Sequence, residues 1–125
     1  MTSAIRMHQA GGPEVLRWET VEVGKPGPGQ VRLRHTAVGL NYIDVYHRMG
    51  LYPVQHPATP GLEAAGVVEE VGPGVTEVKV GDRVAYAAPP MGAYAEARLM
   101  QADRLIVLPD SIDDRQAAAM MLQGM

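Results

Sequence analysis

Polar side chains that could bind or act on a small molecule are concentrated in residues 39–52, GLNYIDVYHRMGLY. This stretch supplies an amide, a carboxylate, a guanidinium and phenolic hydroxyls within fourteen residues. The polar residues of the stretch are Asn41, Tyr42, Asp44, Tyr46, His47, Arg48 and Tyr52. Groups of these types can hold a polar ligand and donate hydrogen bonds to an oxygen on which negative charge develops during a reaction.

The same residues also have a purely structural explanation. The spacing predicts a short helix over residues 41–50, with Asn41 as its N-cap and Gly50 at its end. Asp44 would then complement the helix dipole, and Arg48 would pair with Asp44 four residues earlier. From spacing alone, the stretch is either a ligand site or a capped helix with a polar face.

Several other chemistries are disfavoured by what the chain lacks. It has no Cys, which excludes disulfides, thiolate metal ligands and a cysteine nucleophile. Neither of its two serines, Ser3 and Ser111, lies in a G-x-S-x-G motif. The four His show no metal-ligand spacing, so no metal site is predicted. The GPG triplets at 27–29 and 72–74 are not G-x-G-x-x-G, so no phosphate-binding loop is predicted in these 125 residues.

The composition is that of one ordinary globular domain, with 46% hydrophobic and 20% charged residues in 125. The net charge of −3 and the lack of a Lys/Arg run give no reason to expect a nucleic-acid or anionic-membrane partner. No apolar run reaches the length of about 18 residues that a membrane span needs. The absence of Cys fits a reducing compartment, and we expect a cytoplasmic protein.

The elements that must position the candidate residues are short strands separated by Gly and Pro. The alternation in VRLRHTAV, with Val31, Leu33 and Ala37 opposite the polar residues, predicts a half-buried strand directly before the helix. Residues 62–88 read as strand, turn, short strand, turn, strand. The other predicted strands cover 4–8, 15–23, 93–100 and 104–109. The pattern predicts a mainly β barrel or sandwich with one small helix.

The end of the chain differs from the rest. Ser111 is the expected N-cap of a second helix, with Asp113 and Asp114 in its first turn. Residues 117–122 are apolar nearly all round and need burial on most faces. We therefore expect residues 1–110 to form the domain and 111–125 to begin a connection to a missing part. If uncovered, that apolar helix would favour homo-oligomers.

Residues 61–84, GLEAAGVVEEVGPGVTEVKVGDRV, resemble the medium-chain dehydrogenase/reductase pattern in which G-H-E-x-x-G leads to V-G-D-R-V. The stretches at 11–16, 41–53 and 91–97 resemble its zinc-free quinone oxidoreductase branch, the family of zeta-crystallin. The resemblance covers nearly the whole chain. It implies a GroES-like, strongly bent β-barrel with short peripheral helices, and a Rossmann domain that these residues do not contain.

The chain departs from the zinc-dependent relatives at informative positions. Those relatives have His where this chain has Leu62, a Cys ligand in the region of Asn41, and a structural lobe with four Cys. The resemblance therefore implies a reaction without zinc. Without a Lewis acid, the expected reaction is hydride transfer from NADPH to an acceptor that is already electron-poor, a quinone or an enone.

The resemblance also assigns roles by position. It places Asn41 and Asp44 near the ribose–nicotinamide end of the cofactor, and Arg48 at the mouth or near its phosphates. Tyr46 and Tyr52 would line the acceptor pocket as the catalytic hydroxyls. Without the cofactor-binding domain, the isolated chain is expected to be inactive.

Two further expectations complete this assignment. Glu63, which matches a Glu near the metal in zinc-dependent relatives, is expected to be structural or to support the site residues from behind. The alternative function is a stand-alone truncated GroES-like module that binds or assembles without catalysis.

Overall fold

The computed structural model of the chain describes residues 2–51, 54–88, 90–109, 111–113 and 116. The fold is mainly β and GroES-like, as predicted. Its strands are β1 (Thr2–Arg6), β2 (Arg17–Val21), β3 (Gln30–Val38), β4 (Glu63–Val71), β5 (Arg83–Ala87), β6 (Ala97–Gln101) and β7 (Ile106–Val107). One α-helix, α1 (Tyr42–Met49), lies between β3 and β4, and short 3-10 turns cover Pro13–Val15 and Ala102–Arg104.

The strands form two antiparallel sheets. β1 and β2 make a hairpin, and the larger sheet has the order β6-β3-β4-β5-β7. The register of β3 against β4 shifts twice, and such bulges bend a strand. The hairpin is joined to the segment before β6, because Ile5 N–H donates to the Tyr94 carbonyl (2.8 Å) and Glu96 N–H donates to the Ser3 carbonyl (2.9 Å). These contacts fold the hairpin against the bent sheet.

The core lies under β3, β4 and β5. Val31 and Leu33 of β3 are fully buried while Arg34 is exposed, which confirms the predicted alternation. Short aliphatic side chains and Met fill most of the interior, in agreement with a sequence that lacks Phe. The largest fully buried side chains are Tyr86, Met7, Leu33, Met100, Glu63, Val31, Val68, Val84 and Pro60.

Each strand predicted from composition lies near an observed one, with ends shifted by a few residues, except the short strand between the VGPGV and KVGD turns. That prediction is wrong, because residues 72–82 form turns and irregular backbone. Asp82 accepts the Lys79 N–H over 3.0 Å and closes the second turn. Val78 between the turns is 5% exposed and packs into the core, so its burial does not require a strand.

The predicted second helix lies mostly outside the described residues, which after Ile112 are Asp113 and Gln116. Gln116 N–H donates to Asp113 Oδ1 (2.7 Å), and Asp113 N–H donates to Gln116 Oε1 (3.3 Å). This reciprocal pair is a capping box, which makes Asp113 rather than Ser111 the N-cap. The apolar segment 117–122 and association through it lie outside the described residues. In the described part of the chain, no helix has the length and apolar character required to cross a bilayer.

Candidate functional site

Helix α1 follows β3 and has the N-cap and C-terminal glycine that the sequence predicts. Asn41 has extended backbone (φ −132°) and precedes the first helical residue, and Gly50 ends the helix in the left-handed region (φ 84°). Asp44 Oδ2 accepts the Asn41 backbone N–H over 3.1 Å. This bond satisfies one backbone donor at the helix start and brings a carboxylate there, where the dipole favours it.

Asp44 is buried (3% exposed), which is unusual for a carboxylate on a surface helix. Its Oδ2 accepts a hydrogen bond from the Tyr94 hydroxyl over 2.7 Å, in addition to the one from the backbone N–H of Asn41. Burial, the hydrogen bond to Asp44 and the Asp44 charge all raise the pKa of Tyr94, so this phenol is a donor at neutral pH. The second oxygen, Asp44 Oδ1, is buried and has no hydrogen-bond partner among the residues that the structure describes.

A second buried carboxylate lies on the other side of Asn41. Glu63, at the start of β4, is 1% exposed, and its Oε1 accepts the Asn41 side-chain amide over 3.2 Å. Its carbonyl accepts the Gly39 N–H over 2.9 Å. The contact agrees with the expectation that Glu63 is structural, because it fixes the side-chain amide of Asn41 as a donor.

Arg48 does not pair with Asp44, although the sequence allowed it. Its Nε donates to the Gly11 carbonyl (3.2 Å), and its own carbonyl accepts the Gly11 N–H (2.8 Å). These two bonds join the last turn of α1 to the loop after β1. The half-buried Arg48 side chain also lines a small cavity of about 60 Å³ together with Asp44 and Tyr94.

The outer face of α1 and its flanks is apolar and exposed. Leu40 is 76% exposed, Tyr42 82%, Met49 58% and Tyr46 38%. Tyr46 therefore lies on an accessible face, whereas Tyr52 lies outside the described residues. A surface helix usually buries its apolar residues and exposes its carboxylates, and α1 does the opposite. Exposed apolar patches of this kind are typical of surfaces that bind a ligand or another protein.

Three hollows meet at Leu40. A groove of about 520 Å³ is lined by Trp18, His35 and Tyr94 among others, and a hollow of about 350 Å³ by Asn41 and its neighbours. The small cavity with Asp44 and Arg48 is the third. The structure thus brings Asn41, Asp44 and Arg48 to one concave side of the domain.

His35, which lines the groove, belongs to a partly buried chain of hydrogen bonds. Arg98 Nη1 donates to the Tyr86 hydroxyl oxygen (3.2 Å), and that hydroxyl donates to His35 Nε2 (2.9 Å). His35 Nδ1–H then donates to the Ala95 carbonyl (2.8 Å). Since Arg98 can only donate, these bonds are consistent with a neutral His35. Burial lowers the pKa of His35 to about 4, helped by the Arg98 charge and opposed by the Ala95 bond.

The described residues contain no group of three or more His, Cys, Asp or Glu side chains placed to hold a metal ion. At the two positions where zinc-dependent relatives have ligands, Asn41 uses its amide on Glu63, and Leu62 is buried. This donor set suits hydrogen bonding to an organic ligand.

Tyr94 is the residue of this region that the sequence did not single out. It lies within MGAYAEA at 91–97, which contributed only to the resemblance. No local periodicity relates residue 94 to residue 44, because the contact joins positions 50 residues apart. The contact depends on the tertiary fold.

Comparison with known proteins agrees with this geometry. The sequence model of the alcohol dehydrogenase GroES-like domain matches residues 27–110. The chain is 51% identical over 131 residues to a 2-haloacrylate reductase of Burkholderia sp, covering 100% of this chain and 39% of that protein. It is 51% identical over 126 residues to a quinone oxidoreductase of Pseudomonas aeruginosa, with the same coverage.

Solved structures of quinone oxidoreductases also superpose on this chain. A quinone oxidoreductase of Pseudomonas syringae superposes with a TM-score of 0.96 at 50% identity, covering 99% of this chain and 38% of that one. An Escherichia coli quinone oxidoreductase complexed with NADPH gives 0.95 at 42% identity, covering 98% and 38%. The chain spans about 39% of the length of these two curated relatives. It belongs to the alcohol dehydrogenase GroES-like domain family and is similar to the N-terminal part of quinone oxidoreductases.

Proposed function

We propose that this chain is the substrate-side domain of an NADPH-dependent reductase that transfers hydride to a quinone or enone without zinc. One observation carries the proposal: a buried carboxylate with an unpaired oxygen, Asp44 Oδ1, lies beside an exposed tyrosine-bearing face. The chain that bears it is about half identical to a quinone oxidoreductase and to a 2-haloacrylate reductase. Both names describe electron-poor, conjugated substrates.

The unpaired Asp44 oxygen fits a ligand that carries O–H or N–H donors. An isolated acceptor that is buried costs about 1–3 kcal/mol unless a donor reaches it. The ribose hydroxyls and the carboxamide of NADPH are donors of this kind. We assign Asp44 and Asn41 to this end of the cofactor and Arg48 to the cationic side of the same cavity. When bound, NADPH supplies a hydride equivalent.

The acceptor side is assigned to Tyr46 and Tyr52. Their hydroxyls would donate hydrogen bonds to a quinone or enone oxygen and stabilise the negative charge that develops there. A proton delivered to that oxygen completes the two-electron reduction. The support for Tyr46 is its position on the exposed face of α1. Tyr52 is assigned on the resemblance alone.

A reaction without zinc is consistent with the donor set around Asn41. Electron-poor acceptors accept hydride without a metal to polarise them, whereas oxidation of an alcohol depends on stabilising an alkoxide. Substitution of residue 41 by a Cys ligand would be needed to begin restoring the pattern of the zinc-dependent relatives. We therefore assign reduction rather than alcohol oxidation.

We assign residues 1–110 to the substrate-side domain and 111–125 to a connection to a dinucleotide-binding domain. These 125 residues contain no G-x-G-x-x-G loop, so the cofactor phosphates need other residues. The isolated chain should therefore have no turnover. We place the enzyme in the cytoplasm, as a homo-oligomer. The preference for NADPH follows from similarity to an enzyme solved with NADPH.

The test is NADPH oxidation at 340 nm by the protein extended through the dinucleotide-binding part. The acceptors are 1,4-benzoquinone, an aliphatic enone and 2-chloroacrylate, each with NADH as the comparison cofactor. Turnover with any of the three supports the proposal, and the preferred acceptor identifies the substrate class. No turnover with all three, or a reading frame that stops after Met125, would favour the non-catalytic module instead.

A further inference from the structure

The two oxygens of the Asp44 carboxylate are used unequally. Oδ2 accepts both the Asn41 N–H (3.1 Å) and the Tyr94 O–H (2.7 Å), whereas Oδ1 is buried with no partner. A carboxylate free to rotate could share its donors between both oxygens. Because the donors lie on the helix start and on the loop before β6, the carboxylate is held from two directions with one oxygen left over.

Backbone hydrogen bonds and a close contact with Gly61 position Tyr94 as a hydrogen-bond donor. Its N–H donates to the Pro60 carbonyl (3.0 Å), and its carbonyl accepts the Ile5 N–H (2.8 Å). Its ring lies over Gly61, where an added Cβ would be 2.6 Å from Tyr94 Cδ1. The absence of a side chain at Gly61 thus makes room for the ring.

The Tyr94 side chain also stands between two of the hollows. It lines both the large groove with Trp18 and the small cavity with Asp44 and Arg48. Its hydroxyl contacts Asp44, so the phenol separates the carboxylate from the groove. Asp44 lines the small cavity and is not among the residues that line the groove.

We propose that Tyr94 is a positioning residue. Its hydroxyl and the backbone N–H of Asn41 both donate to Asp44 Oδ2, and this holds Oδ1 as the acceptor for an O–H or N–H donor of the bound ligand. This inference rests on the function proposed above and adds a residue that the resemblance did not assign. Tyr94 acts through Asp44 and need not touch the reacting atoms. The effect of removing the Tyr94 hydroxyl on kcat must therefore disappear once the Asp44 carboxylate has been replaced.

The experiment uses the full-length enzyme and three substitutions. Tyr94→Phe removes only the hydroxyl and should lower kcat about tenfold, with KM for the acceptor changed less than about twofold, because a misplaced acceptor mainly affects the reacting geometry. Tyr86→Phe is the matched control, since it also removes a hydrogen-bonded tyrosine hydroxyl, but one that makes no hydrogen bond to Asp44. It should lower Tm while kcat stays within about twofold.

The third substitution tests the coupling. In an Asp44→Asn background, Tyr94→Phe should change kcat less than about twofold, because the partner through which it acts has already been altered. Additive losses in the double variant, or equal losses from Tyr94→Phe and Tyr86→Phe, would overturn the inference. Loss of kcat only in proportion to lost folded protein, measured by circular dichroism, would also overturn it.

Failure of the proposed function has a different signature. A folded wild-type enzyme that oxidises NADPH with none of the acceptors would remove the proposed function and this inference together. An active wild type whose kcat is insensitive to Tyr94→Phe would remove this inference alone.

Discussion

The side-chain amide of Asn41 donates to Glu63 Oε1 over 3.2 Å, and Glu63 is 1% exposed. The start of α1 is thus joined to the first residue of β4 through a buried carboxylate. The amide donor compensates for part of the cost of burying that polar group. Residue 41 therefore contributes to stability in addition to any contact with a ligand.

Asn41→Asp should lower the free energy of unfolding by about 2 kcal/mol at pH 7, because it places a second carboxylate against Glu63 and removes the donor. The measurement is urea unfolding followed by circular dichroism. The matched variant Asn41→Asp with Glu63→Gln restores a donor–acceptor pair in the opposite direction. It should recover at least half of the loss, and equal stability of the single and double variants would contradict the assignment.

Helix α1 shows why sequence patterns gave its limits but not its orientation. The cap at Asn41, the end at Gly50 and Asp44 in the first turn are local features, and all three are confirmed. The residue spacing does not indicate which face of the helix packs against the domain. In the structure the face with Tyr42 and Met49 is exposed while Asp44 is buried. This face breaks the rule that apolar residues point inward, so the rule cannot orient the helix.

In the rest of the molecule, too, most local features were predicted correctly and contacts between distant positions were not. The alternation of β3 is local, and it was predicted correctly. The contacts of Arg48 with Gly11 and of Asp44 with Tyr94 join positions 37 and 50 residues apart. An i,i+4 rule predicted an Arg48–Asp44 pair instead, because only local partners are visible in the sequence. The site residues came from the resemblance, and their roles remain predictions.

Gly61→Ala should be more destabilising than Gly74→Ala. Both glycines have positive φ, 106° and 80°, so each substitution carries backbone strain of about 1 kcal/mol. A Cβ at residue 61 would also lie 2.6 Å from Tyr94 Cδ1 and 2.8 Å from Ala93 Cβ, whereas nothing lies within 4 Å of one at residue 74. We expect a further loss of about 1–3 kcal/mol at residue 61 from this overlap.

Thermal and urea unfolding of the two Gly→Ala variants, side by side, measure that difference. Losses that agree within about 0.5 kcal/mol would show that Tyr94 moves away without cost, contrary to a ring fixed over Gly61.

The exposed face of α1 makes a separate prediction. Tyr42 is 82% exposed, so Tyr42→Ser should change the free energy of unfolding of this chain by no more than about 0.5 kcal/mol. Tyr86 is fully buried, and Tyr86→Ser should cost about 3 kcal/mol or more. Urea unfolding of both variants tests whether the Tyr42 side chain packs against the rest of the chain. A loss of more than about 1 kcal/mol at Tyr42 would mean that the face is packed.

His35 gives the chain a pH dependence whose sign follows from its environment. Its pKa in the folded chain is about 4, below the ordinary 6.5, because burial and the nearby Arg98 charge disfavour the imidazolium. Protonation would also remove the acceptor for the Tyr86 hydroxyl. Between pH 6.5 and about 4 the unfolded chain binds a proton that the folded chain does not. The stabilising contribution is therefore complete above pH 6.5 and is lost as the pH falls towards 4.

The full loss is at most about 3 kcal/mol, the free-energy equivalent of this pKa shift. His35→Gln keeps an amide that can donate to the Ala95 carbonyl but cannot titrate. Urea unfolding at half-unit steps between pH 7 and 4 should therefore show a shallower loss of stability in His35→Gln than in the wild type. The comparison subtracts the carboxylates, which titrate in both proteins. Parallel curves across this range would mean that His35 accepts a proton in the folded state as readily as in the unfolded one, and that the Arg98–Tyr86–His35 chain does not hold it neutral.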